Sequence, residues 1–246
     1  MELFYTISVV FISRLIFLFR DEALSIKDAV IKAVIMIIPL LVFTINLHLI
    51  LFLIAALIII TGFYFIELKK RAAVLNVSRV IELLLILIAA NILFSSSFEI
   101  TFNENVIASI KGFKKYFRIM EFISIENMEY FWIMFSGVLF VMNELNIVIR
   151  ILFELFGLIS NGSDEQVTDK NELKAGRIIG ILERVIIFIL VIANQYGAMG
   201  LVIAAKAFAR FKAMDEKNFA EYVLIGTLLS ALLSLFSAVI IKTMLM

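Results

Sequence analysis

Apolar residues in this chain do not alternate with polar ones. They run in blocks, at 3–19, 29–45, 47–67, 74–96, 130–157, 177–195, 198–213 and 219–243. Unbroken runs predict membrane helices, because a lipid-facing barrel strand would alternate every second residue. The predicted fold class is therefore all-α, a polytopic transmembrane helical bundle of about six to eight membrane segments. A straight span takes about 20 residues. Blocks 3–19, 29–45 and 198–213 fall short of that, and read as thin spans or partly interfacial helices. Asn46 breaks 29–67 into one hairpin, and Asn194-Gln195-Tyr196-Gly197 breaks 177–213 into another.

Two polar stretches set the domain organisation. Residues 97–129 place Lys111, Lys114, Lys115 and Arg118 at helical spacing among Phe113, Tyr116 and Phe117. That is the pattern of an amphipathic helix lying on a membrane surface. Residues 159–175 lack any apolar period and read as a linker. The expected division is a membrane lobe at 1–158, the linker, and a second membrane module at 176–246. Lys69, Lys70, Arg71 and Arg79 mark the loop after the third block as cytoplasmic, because basic residues stay inside. Counting from there, the linker is cytoplasmic, while segment 97–129 and both termini are external. The expected location is the bacterial inner membrane, crossed several times.

Composition agrees with the blocks. Of 246 residues, 63% are hydrophobic and the mean hydropathy is +1.08, against about 45–50% apolar in a soluble domain. There is no Cys, which excludes disulfides, thiolate nucleophiles and Cys-held metals. The lone histidine, His48, sits in a turn and gets no role. No cofactor and no metal is expected. Nucleophile-elbow, phosphate-loop and HExxH motifs are absent, so the chain is not expected to be an enzyme.

The charges inside the apolar blocks are the candidate chemistry, since an ionisable residue in lipid is costly. Gly176 and Gly180 lie on one helical face and predict a close helix approach. Arg177 and Arg184 flank that face, and Glu183 points away from Arg184. Lys206 and Arg210, four residues apart, share a face. Folding of 177–213 as a hairpin brings them back to the level of Glu183, with Glu221 opening the last block. Glu183 and Glu221 can then pair with Arg184, Lys206 or Arg210 as one network. Glu183, Arg184 and Glu221 are thus candidate pore or gating residues. So are Asn143, Glu144 and Arg150, on a polar stripe in block 130–157. Lys174, Arg177, Lys206, Arg210 and Lys212 would form a basic ring facing an anionic ligand. A purely structural ion-pair layer is the competing reading of the same charges. Arg14 is expected to snorkel out of its short block, and Arg79 and Glu82 to pair locally across one turn.

The last third resembles a family of bacterial polytopic membrane proteins of uncharacterised function. The resemblance runs through Gly176-Arg177-Ile178-Ile179-Gly180-Ile181-Leu182-Glu183-Arg184, then Ala204-Ala205-Lys206-Ala207-Phe208-Ala209-Arg210-Phe211, then Phe219-Ala220-Glu221-Tyr222-Val223-Leu224-Ile225-Gly226-Thr227. It implies a shared C-terminal module. In architecture the chain also resembles membrane effectors of anti-phage defence systems, including oligonucleotide-controlled channels of the Hailong type. That resemblance implies a nucleotide or oligonucleotide ligand and a cytoplasmic partner enzyme. The expected function is a homo-oligomeric channel or pore in the lipid bilayer, gated from the cytoplasm by an anionic ligand. The alternatives are a small-solute transporter or lipid-handling protein, and a non-catalytic subunit of a larger complex.

The topology is directly testable because the chain has no Cys. A single Cys at Ser163 should react with an impermeant thiol reagent only after cells are permeabilised. Labelling in intact cells would invert the topology.

Overall fold

The computed structural model describes residues 1–18, 20, 22–68, 72–94, 100–114, 128–157, 170–209 and 217–245. Among these it is helical, with one isolated β-bridge between Phe43 and Phe102. The helices are α1 (Glu2–Arg14), α2 (Ile26–Leu40), α3 (Leu47–Glu67), α4 (Ala72–Leu93), α5 (Glu104–Lys114), α6 (Met128–Leu139), α7 (Leu145–Leu155), α8 (Lys170–Ile192), α9 (Tyr196–Ala209) and α10 (Lys217–Met244). A single π-helical turn, Phe140–Glu144, joins α6 to α7 without a break.

Their boundaries have local causes. Ser25 opens α2 with a capping box: its hydroxyl accepts from Asp28 N–H, and the Asp28 carboxylate accepts from Ser25 N–H. Asn46 caps α3 by accepting from Leu49 N–H at 2.8 Å. Asn194 takes φ 61°, the left-handed value that Asn tolerates, and so turns α8 into α9. Both hairpins predicted from these asparagines are present.

Among the described residues, four helices are long and apolar enough to cross a membrane: Leu47–Glu67, Val74–Leu93, Met128–Leu155 and Val223–Met244. Helices α1, α2 and α9 have 13, 15 and 14 residues. Each is about 20 Å long, against a hydrocarbon core of about 30 Å. α8 has the length but carries Arg177, Glu183 and Arg184. The distribution of polarity is that of a membrane protein. Ile54, Ile58, Leu84, Ile88, Leu228 and Phe236 face outward, while Arg14, Lys32, Arg79, Glu82 and Glu144 are buried.

The chain divides into two compact units, Met1–Ser136 and Gly137–Met246. Residues 137–155, grouped with the first lobe by sequence, thus pack with the second unit. The linker is also shorter than expected at its far end, since α8 begins at Lys170. Its remainder, 159–169, lies outside the described residues, as do Lys115 and Arg118 of the amphipathic segment.

In the first unit, α1 to α4 run up and down. One end is aromatic: the Tyr5 ring lies 5.5 Å from Phe43, 5.4 Å from Phe102 and 4.7 Å from Trp132. Thr44 N–H donates to Thr101 O and Asn103 N–H to Val42 O, both at 2.9 Å. These bonds tie the turn after α2 to the segment after α4. Tyr5 OH donates to the Pro39 carbonyl at 2.8 Å, near the end of α2, which also accepts from Val42 N–H at 3.3 Å. The opposite end is ionic.

In the second unit, α8 packs along α10 and against the π-turn, with α7 also on α10. Close approach occurs at Gly137 and Gly226. A Cβ at Gly137 would lie 2.7 Å from Phe188 Cζ and 2.9 Å from Ile241 Cγ1. One at Gly226 would lie 2.9 Å from Phe153 Cζ. Gly180 is not such a site: among the described residues, the one atom within 4 Å of its Cβ position is Arg184 Nη1, at 3.5 Å. The expected contact face at Gly180 is corrected accordingly.

Substitution separates these glycines. Gly137→Ala should lower stability by about 1–3 kcal/mol through overpacking. Gly180→Ala should cost nothing, because Ala is the better helix former by about 1 kcal/mol. Thermal melting in nanodiscs checks this, and equal effects at both positions would contradict it.

Candidate functional site

The ionic end of the first unit is assembled from four helices. Glu82, ten residues into α4, is 2% exposed and faces two cations. Arg14 Nη1 donates to its Oε2 at 2.8 Å, and Lys32 Nζ donates to its Oε1 at 2.5 Å. Arg14 Nη2 also donates to the Arg79 carbonyl at 2.9 Å. Arg79 turns away from Glu82 and donates from Nε to Glu67 Oε1, at the end of α3, at 3.1 Å. Its other nitrogens donate to the carbonyls of Arg20 and Glu22. Glu67 Oε2 accepts from Leu24 N–H at 3.2 Å. At the margin Arg20 pairs with Asp28.

The ring of Phe17 lies among the three cations, 5.1 Å from Arg14 Cζ, 4.6 Å from Lys32 Nζ and 4.4 Å from Arg79 Cζ. Its π-face offers partial negative charge to all three. Two expectations are corrected here. Arg14 does not snorkel: it is fully buried and paired across the bundle. Arg79 and Glu82 do not satisfy each other, because the helices beside α4 supply better partners to each. The cluster is sealed, with side-chain exposures of 0–3% for Arg14, Lys32, Glu67, Arg79 and Glu82.

The second unit holds the predicted site residues. Lys206 of α9 donates to Glu183 Oε2 of α8 at 2.5 Å, as the hairpin geometry predicts. These side chains are 16% and 15% exposed. They border a shallow cleft, lined also by Ile187, Thr227, Ser230 and Ala231, whose volume of about 10 Å³ is room for roughly one water molecule.

Arg184 faces the other way. It is 4% exposed, and its Nε donates to the Val141 carbonyl at 3.1 Å. The π-turn explains the approach. Leu145 N–H bonds to Phe140 O, five residues back, and so skips Val141, its α-helical partner. Asn143 and Glu144 lie in this turn, 1% and 2% exposed, and the Asn143 amide donates to Glu144 Oε1 at 2.8 Å. Glu183 and Arg184 thus belong to two separate arrangements.

The remaining candidates are less concentrated. Arg150 is half-buried on α7, Arg177 half-buried on α8, and Glu221 exposed on α10. The side chain of Lys174, and Arg210 and Lys212 entirely, lie outside the described residues. A basic ring is not assembled from the described ones, since Lys206 is engaged by Glu183. Sequence reading did not find the Phe17-centred cluster, whose partners are 68 and 50 residues apart along the chain. It did not find the π-turn either. The signal for the cluster was present in Arg14, a charge in an apolar block with no local acidic partner.

Compared with models of protein families, with curated proteins and with solved structures, the chain finds no match.

The pairing makes a specific demand on mutational coupling. Glu183→Gln and Lys206→Gln should be coupled by about 1 kcal/mol or more in a double-mutant cycle, as contacting residues are. Glu183→Gln with Arg184→Gln should show a smaller coupling, because these side chains do not share a contact. Denaturation of the single and double variants checks this. The reverse order of couplings would overturn the assignment.

Proposed function

We propose that this chain is the subunit of a homo-oligomeric channel in a bacterial inner membrane, with about six to eight membrane segments. The observation that carries this reading is the Glu183–Lys206 pair. It is a charge pair within apolar helices that is not sealed, opening on a cleft with the hydroxyl residues Thr227 and Ser230. The first unit supplies the contrast, because the five ions of its central cluster are only 0–3% exposed. In this reading the first unit is a rigid scaffold and the α8–α9–α10 module carries the conducting path. No catalysis is assigned to the chain.

The gate is the ion pair itself. An anionic ligand reaching Lys206 from the cytoplasmic side competes with Glu183 for the same ammonium. A nucleotide or oligonucleotide phosphate has the right charge for this, with Lys174, Arg177, Arg210 and Lys212 as the remaining basic ring. Such a ligand fits a role beside a cytoplasmic enzyme that makes it, as in anti-phage defence. A second reading, a small-solute transporter, is favoured by the cleft lying within one chain's α8, α9 and α10.

Reconstitution into liposomes tests the channel. Wild-type protein should conduct ions, and Glu183→Gln should raise basal flux by about fivefold, matching the loss of a latch worth about 1 kcal/mol. A particle mass of several subunits should accompany it. A monomeric particle with saturable solute uptake would favour the transporter, and no flux in any variant would refute both.

A further inference from the structure

The latch and the scaffold leave one buried charge without a stated role. Arg184 lies within an apolar helix and is 4% exposed. A guanidinium has five N–H donors. Nε is used by the Val141 carbonyl, while Nη2 is buried with no hydrogen-bond partner among the described residues. Buried donors are nearly always satisfied, so an exception points to a water or an ion.

A water would satisfy the N–H but not the charge. The neighbouring carboxylate, Glu183, is engaged by Lys206. The charges that act on Arg184 are this Glu183 and the like charge of Arg150. Glu144, in the π-turn against which α8 packs, has one oxygen on the Asn143 amide. In the first unit, by contrast, Arg14 and Arg79 each hold a carboxylate. Arg184 is the buried guanidinium built differently.

The sequence also leaves room beside it. Gly180 stands one turn before Arg184, and a Cβ there would meet Arg184 Nη1 alone among the described atoms. Any larger residue would cover that flank of the guanidinium. Gly180 thus keeps open a space that helix packing does not use.

We infer that Arg184 anchors a buried anion site, with the open flank at Gly180 admitting a small anion to its guanidinium. The ligand chemistry is a halide or an anionic oxygen. Charge attraction and N–H donors hold it, and the Val141 carbonyl fixes the guanidinium through Nε, with Nη1 on the Gly180 side. The inference requires binding only, and stands whether or not the chain conducts.

The test uses the full chain in nanodiscs of zwitterionic phosphatidylcholine, with gluconate as the starting anion. Chloride is titrated in at constant ionic strength while the melting temperature is followed. Wild-type protein should gain about 5 °C at saturation, the effect of a ligand that binds the native state alone. Arg184→Met should show no gain. Gly180→Leu, which keeps the charge but covers the flank, should need at least about tenfold more chloride. A parallel arm replaces part of the lipid with anionic phosphatidylglycerol in gluconate. An Arg184-dependent gain there identifies a lipid phosphate as the source, and a gain with chloride identifies a free ion. The site is refuted if wild-type protein responds to neither, or if Arg184→Met responds as wild type does. Should Arg184→Met fail to fold, identical chloride curves for wild type and Gly180→Leu refute it equally.

Discussion

Glu82 holds two cations at once, and the first unit depends on it. Lipid tails are as apolar as leucine, so the hydrophobic effect that gathers helices in water gives little between helices in a bilayer. Something polar or closely packed must specify which helices meet. Here Arg14 brings the end of α1, and Lys32 the first half of α2, onto a single carboxylate of α4. Arg79 and Glu67 add α3 to the same knot. Each partner would be costly in lipid alone, which makes the arrangement specific. A register in which Arg14 missed Glu82 would leave an unpaired charge in a dry interior. Phe17 completes the knot by placing its ring among the three cations.

The second unit is held differently. Its helices approach through Gly137 and Gly226, against the rings of Phe188 and Phe153. Its charges are spread out rather than knotted. Glu183 and Lys206 border a cleft, and Arg184 reaches a carbonyl presented by a π-turn. Glu183 and Lys206 stay partly exposed, whereas the clustered ions of the first unit are 0–3% exposed. That contrast is what supports the proposed division into a scaffold at α1–α4 and a functional module at α8–α10.

The helices and their breaks were legible in the sequence because both are local. A long apolar run has few alternatives, and Asn46 and Asn194 act on their own backbone. A basic partner for Glu183 near this level was legible because a hairpin brings positions back to each other, but the choice of Lys206 among Arg184, Lys206 and Arg210 was not. Charge pairing between distant helices was not. Arg79 and Glu82 stand at a spacing that favours local pairing, and only the positions of α1, α2 and α3 redirect them. Glycine spacing misled for a related reason. Gly180 lies on the familiar four-residue face, but the close approaches seen are at Gly137 and Gly226, and which side of a helix meets a ring follows from tertiary packing. The π-turn leaves no local mark at all, since Phe140–Glu144 reads as ordinary helix.

The central claim is that the ions of the first unit stabilise as a set and not individually. Unfolding of four forms in nanodiscs tests it: wild type, Glu82→Gln, Lys32→Met, and the two changes together. Glu82→Gln strands Arg14 and Lys32 and should cost about 3–5 kcal/mol, as breaking a buried pair does. Adding Lys32→Met removes one stranded charge and should recover a large part of that loss, by 1 kcal/mol or more on the scale of coupled neighbours. Losses that simply add, or a Glu82→Gln form as stable as wild type, would show that Glu82 does not hold the bundle together.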